Sequence, residues 1–142
     1  LLPRVNTNRL SRFEHGKPAD VLVVDQIGLL SYLYRYATLV YIGGGFGAGI
    51  HNTLEPMAYG KPVLFGPKYR RFPEAVFLAE SGAGTSITGP EDLLTVIHRF
   101  SSESVRLDAG AKIEQYLQNH RGATPTIIDY IRNTWNKSNL TS

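Results

Sequence analysis

The chain has 142 residues, 42% of them apolar and 19% charged, with a formal net charge of +3 and no cysteine. This length and apolar fraction suffice for one domain with a real core, while the absence of cysteine excludes disulfides and thiolate metal sites. No apolar run approaches the roughly 18 residues of a membrane span, nothing at the start reads as a signal peptide, and the scattered basic residues form no stripe suited to nucleic acid.

Residues 1–19 alternate only weakly and open abruptly on Leu1-Leu2-Pro3 without an initiator methionine, which reads as a piece of a longer protein. Residues 20–25, Asp-Val-Leu-Val-Val-Asp, are a β-branched run closed by an acid and are expected to form a buried strand. Residues 27–37 read as a helix because Leu29, Leu30, Leu33 and Tyr34 recur at helical spacing. A second strand, 39–42, feeds a glycine-rich stretch, then a short helix ending at Tyr59-Gly60, and a strand at 62–65. A helix at 72–81 has Pro73 at its start. A small strand at 84–87, a helix from Pro90-Glu91-Asp92 to Phe100, and helices at 104–120 and 126–135 follow, with Trp135 expected to pack the last one down. Residues 1–135 thus read as one domain and 136–142 as a disordered tail. Strand and helix by turns imply a Rossmann-like α/β fold, a parallel sheet flanked by helices with ligands at the carboxyl ends of its strands.

The stretch after the second strand concentrates the chemistry. Gly43, Gly44, Gly45, Gly47 and Gly49 are five glycines among seven residues, and a polar helix-start signal follows them. Glycine lets backbone approach a ligand closely, and a helix N-terminus offers unpaired N–H groups with a partial positive charge. An anion, most naturally a phosphate, is expected near the N–H groups of Asn52, Thr53 and Leu54. A Walker loop is excluded, since Ile50-His51 stand after Gly49 where Lys-Ser/Thr is required. The dinucleotide fingerprint fits loosely as Gly43-x-Gly45-x-x-Ala48, but the next strand ends Leu64-Phe65-Gly66-Pro67-Lys68 without the ribose-binding acid. His51 and Asn52 stand where side chains can reach a phosphate or carboxylate, yet His51 also fits a helix entry. Asn52-x-x-Glu55 also fits a capping box. Glu55 precedes Pro56, which disfavours the helical basin at Glu55 and removes the next N–H. Lys68-Tyr69-Arg70-Arg71 adds three positive charges beside the presumed cleft mouth, as a solvated loop or as an attractor of anions. The histidines at 15, 51, 98 and 120 show no metal-ligand spacing.

The residues Gly43-Gly44-Gly45-Phe46-Gly47-x-Gly49-Ile50-His51-Asn52-x-Leu54-Glu55-Pro56 are followed by Tyr59-Gly60-x-Pro62-Val63-x-Phe65-Gly66-Pro67 and Phe72-x-Glu74-Ala75. This series resembles the donor half of bacterial 3-deoxy-D-manno-octulosonic acid (Kdo) transferases. The likeness extends upstream to Val24-Asp25-Gln26-Ile27-Gly28 and Leu33-Tyr34, covering roughly residues 20–85. Gln26 and Leu29 depart from the Thr and Glu that many members carry there.

The resemblance implies the C-terminal half of a two-domain GT-B glycosyltransferase, a peripheral enzyme on the cytoplasmic face of the bacterial inner membrane. Such an enzyme takes Kdo from CMP-Kdo and attaches it, with inversion, to a lipid A precursor in lipopolysaccharide synthesis. It implies a donor site formed by Gly43, Gly44, Gly45, Gly47, Gly49, His51, Asn52, Thr53, Glu55 and Lys68, with Glu55 accepting the ribose hydroxyls. The cytosine would lie against Ile27 and Gly28. It implies no metal cofactor and no catalytic residue in this chain, because the proposed carboxylate base and the acceptor site belong to the N-terminal half. The chain alone is expected to be soluble and inactive. Two other readings remain, a GT-B relative using a UDP-sugar and a nucleotide-binding module without catalysis.

Overall fold

Val63-Leu64-Phe65 is apolar at every position, as a strand covered on both faces must be. In the computed structural model it is the central strand of a parallel sheet, with all three side chains buried. The structure describes residues 5–12, 18–122, 126–132 and 134. In chain order the elements are β1 (Thr7–Arg9), β2 (Val21–Val23), α1 (Leu30–Leu33), a 3-10 turn (Tyr34–Tyr36), β3 (Val40–Ile42), α2 (Leu54–Met57), β4 (Val63–Phe65), α3 (Pro73–Ser81), β5 (Gly84–Ser86), α4 (Pro90–Ser101) and α5 (Glu103–Asn119). Residues 126–132 are also helical.

The strands make two parallel sheets, β1-β2 and β3-β4-β5. Ile42 lies opposite Phe65 and Phe65 opposite Ser86, so the carboxyl ends of β3, β4 and β5 are level. β3 alternates, with Val40 and Ile42 turned inward and Tyr41 outward. Phe65, Leu78, Phe100 and Ile113 bring β4, α3, α4 and α5 into one core. Pro73 begins α3, and Gly82, at φ 73°, ends it in the left-handed conformation that glycine adopts at least cost. Helix α5 packs on α2, α3 and α4. No helix among the described residues is long and apolar enough to cross a membrane.

Two expectations need correction, and one strand was not expected at all. The run at 20–25 does form a strand, but Val21, Leu22 and Val23 remain 44, 43 and 40% exposed. Among the described residues β2 pairs only with β1, and all three of its side chains are exposed. The helix at 27–37 is shorter than its apolar spacing suggests: Gly28 takes φ 89°, outside the helical basin, and α1 begins only at Leu30 before tightening into the 3-10 turn. β1 carried no signal because its residues, Thr-Asn-Arg, are polar. Ser11 holds it to the end of β2, donating its N–H and hydroxyl to Asp25 at 3.0 and 2.6 Å. Those two bonds hold the Asp25 carboxyl below the ordinary aspartate range. Trp135 and the tail at 136–142 lie outside the described residues.

Candidate functional site

The level ends of β3 and β4 release two loops that bind each other. The Gly45 carbonyl accepts the Lys68 N–H at 2.9 Å, and the Arg71 guanidinium donates to the Ala48 carbonyl. Between these points Gly45 and Gly66 pack backbone on backbone: a Cβ on Gly45 would stand 2.6 Å from the Gly66 nitrogen, and one on Gly66 would stand 2.6 Å from the Gly45 carbonyl carbon. Neither position admits a side chain unless the loops part. Gly44 sits at φ 89°, where a Cβ would meet the Gly49 carbonyl oxygen at 2.3 Å. The loop is closed across its neck, with the His51 N–H on the Gly43 carbonyl and the Gly47 and Gly49 N–H groups on the Gly44 carbonyl. Much of the glycine content therefore builds the loop and its seat against β4.

Beside this neck a cavity of about 610 Å³ opens between the loop, β3 and the segment 30–37. Leu33, Tyr34, Leu39 and Tyr41 contribute to its apolar walls, while Gly43, His51, Asn52 and Glu55 bring polar groups to it. Asn52 organises the floor, accepting the Leu54 N–H on Oδ1 at 2.9 Å and donating from Nδ2 to Glu55 Oε1 at 3.1 Å. The expected capping box does not form: Thr53 stands at the N-cap without a side-chain bond, Asn52 Oδ1 takes the N–H of Leu54 rather than that of Glu55, and Glu55 takes the Asn52 side-chain amide rather than its backbone N–H. Burial first, and the Glu55 carboxylate second, raise the Tyr34 phenol above its ordinary pKa.

The structure thus gathers Gly43, His51, Asn52 and Glu55 around one cavity. It separates other expected residues from it. Thr53 is 0% exposed, so its side chain lies beneath the site, and its Oγ1 has no hydrogen-bond partner among the described residues. Ile27 is fully exposed, and neither it nor Gly28 lines the cavity. Gly28 at φ 89° lies in the turn that precedes α1, so Leu30 of that helix, and not Ile27, reaches the wall. Lys68 lies on the other loop, lining a second, smaller hollow with Ala48, Arg70 and Arg71. The Leu54 N–H is already taken by Asn52, leaving the N–H groups of Asn52 and Thr53 without a partner among the described residues. The four-residue α2 supplies a single turn, so its dipole contributes little toward an anion. Among the described residues no three His, Asp or Glu side chains stand together as a metal site. Gly66 and Arg71 stood in conspicuous sequence segments, but their roles emerge only from the contact between the two loops.

Parallel strands flanked by helices, with a glycine loop and a cavity at the strand ends, define a Rossmann-like domain of the kind that forms half of a GT-B fold. The fold matches the crystal structure of the C-terminal CMP-Kdo binding domain of WaaA from Acinetobacter baumannii, with a TM-score of 0.67 at 24% identity over 80% of this chain and 62% of that one. The 3-deoxy-D-manno-octulosonic acid transferase of Aquifex aeolicus is 31% identical over 112 residues, 78% of this chain and 31% of the relative. That of Chlamydia pneumoniae is 40% identical over 100 residues, 68% of this chain and 23% of the relative. No family model matches the chain. Over most of its own length the chain is similar to the 3-deoxy-D-manno-octulosonic acid transferases, and it spans about a third or less of the length of these curated relatives.

Proposed function

We propose that the chain binds the cytidine nucleotide of CMP-Kdo and serves as the donor-binding domain of a Kdo transferase. The observation that carries this reading is the cavity beside the glycine loop, where Glu55 brings a carboxylate to a wall of apolar side chains. One Glu55 oxygen is engaged by Asn52 and the other has no partner among the described residues, which suits a pair of ribose hydroxyls. Apolar walls suit the flat faces of a base. The solved neighbour named for CMP-Kdo binding supports the choice of nucleotide.

In the whole enzyme, an acceptor hydroxyl on a lipid A precursor attacks the anomeric carbon of Kdo from the face opposite the phosphate. A carboxylate supplied from outside this chain takes its proton, and CMP leaves with the electron pair of the broken C–O bond, inverting the centre. In this reading the N–H group of Asn52 receives the charge that develops on the leaving phosphate. The reading requires no divalent metal and places the full-length enzyme on the cytoplasmic face of the inner membrane. By itself the chain binds donor without transferring it.

Isothermal titration of the chain with CMP, with and without EDTA, tests the reading. CMP should bind in both buffers, and more tightly than UDP. Undetectable CMP binding at millimolar concentration overturns the nucleotide site, loss of binding in EDTA overturns metal independence, and a preference for UDP shifts the donor to a UDP-sugar.

A further inference from the structure

The proposed nucleotide cavity leaves the second hollow unexplained. It is an open, shallow hollow of about 270 Å³ lined by Ala48 of the glycine loop and by Lys68, Arg70 and Arg71. Three cations close together repel one another unless something offsets them. Among the described residues no carboxylate forms an ion pair with any of them. Arg71 is partly committed, donating to the Ala48 carbonyl and lying 5.2 Å over the Phe72 ring. Arg70 lies 5.9 Å over the Tyr69 ring, and neither its N–H groups nor the Lys68 ammonium has a hydrogen-bond or ion-pair partner among the described residues. The hollow is fixed relative to the nucleotide cavity, because the Lys68 N–H on Gly45 and the Arg71 side chain on Ala48 tie the two loops together. One glycine loop therefore has a carboxylate-bearing apolar cavity beside it and a purely cationic hollow built on its far end.

We propose that this hollow is a subsite for the carboxylate of the donor's sugar acid, with Lys68 and Arg70 contacting it and Arg71 positioning the loop that joins it to the nucleotide cavity. The assignment rests on the CMP-Kdo reading and extends it. A nucleotide whose sugar is itself an acid presents two separate anions, and this site offers polar groups in one hollow and unmatched positive charge in the next. Planar guanidinium and flexible ammonium donors suit a carboxylate, and a charge-assisted contact in a concave site discriminates more than diffuse attraction does.

The test compares CMP with freshly made CMP-Kdo by titration of the chain and of the Lys68→Gln/Arg70→Gln double variant at pH 8. Both substituted residues are exposed, and thermal melts of the two proteins should superimpose. Each ligand carries about two negative charges at that pH, so a diffuse positive field acts on both alike. The subsite predicts a CMP affinity within about twofold of the parent and a CMP-Kdo affinity lowered about tenfold or more. Equal weakening of both ligands, or no weakening of CMP-Kdo, overturns the subsite while leaving the nucleotide reading intact. Failure of the unsubstituted chain to bind CMP overturns the nucleotide reading itself.

Discussion

Glu55→Gln separates a ligand role from a helix-start role because the two make opposite demands on one side chain. The carboxylate oxygen that accepts from Asn52 Nδ2 at 3.1 Å has a counterpart in the carbonyl oxygen of glutamine, so that exposed contact survives the substitution. What remains on the stability side is the loss of one charge at the first turn of a four-residue helix, worth at most about 1 kcal/mol. On the binding side, hydrogen bonds from ribose hydroxyls to an ionised acceptor contribute about 1.5–3 kcal/mol. Glu55→Gln should therefore raise the Kd for CMP about 10- to 150-fold while the melting temperature barely moves. Titration calorimetry and thermal melts of the two proteins read both quantities. A second signal comes from Tyr34, whose phenol is raised first by burial and then by Glu55. Its pKa should fall part of the way toward the ordinary tyrosine value in the variant, as followed by NMR, since burial persists. Equal CMP affinity in variant and parent would refute the ribose assignment, and loss of stability with affinity unchanged would make Glu55 a helix-start residue only.

Two further predictions concern the scaffold. A Cβ at Gly45 meets backbone of Gly66 that cannot yield, so Gly45→Ala should destabilise the chain by about 1–3 kcal/mol and weaken CMP binding. Gly47→Ala, with no neighbour closer than the Gly44 oxygen at 3.6 Å, should be tolerated, and equal denaturation midpoints for the two variants would contradict the loop packing described. Thr53→Val removes a fully buried hydroxyl that has no hydrogen-bond partner among the described residues, so urea denaturation should show stability unchanged or raised by up to about 1–3 kcal/mol. A loss of more than about 1 kcal/mol would show that the hydroxyl is paired.

The core of the fold was legible because its local signals agree. Val63-Leu64-Phe65 reads as a covered strand and is one, and Pro73 and Pro90 stand in the first turns of the helices they were expected to open. Polar composition hid β1, and the apolar run of β2 gave no hint that it would lack a second neighbour, since a strand's sequence does not name its partners. At the site, Gly43, His51, Asn52 and Glu55 line one cavity because they belong to a single loop and its following turn. Nothing local in the sequence showed that Thr53 turns inward between two exposed neighbours, or that Lys68 lines a different hollow. The division is made by the seam between Gly45 and Gly66, residues 21 positions apart whose contact depends on β3 and β4 lying in parallel register.

That seam also alters the physical account of anion recognition. A glycine loop ahead of a helix suggests a ring of free N–H groups backed by a dipole, yet Gly47 and Gly49 spend theirs on Gly44, His51 spends its own on Gly43, and Asn52 occupies that of Leu54. Pro56 has no N–H to offer, and one turn of helix has little dipole. Backbone donors alone are therefore too few to hold an anionic donor strongly. Under the proposed function the remaining affinity comes from side chains: Glu55 and the apolar walls on one flank of the loop, and cations without an ion-pair partner among the described residues on the other. The glycines then serve chiefly to bring these flanks together, since a Cβ at Gly44, Gly45 or Gly49 would open the neck, part the seam or displace Arg71. On this account the loop contributes geometry and the side chains contribute binding energy.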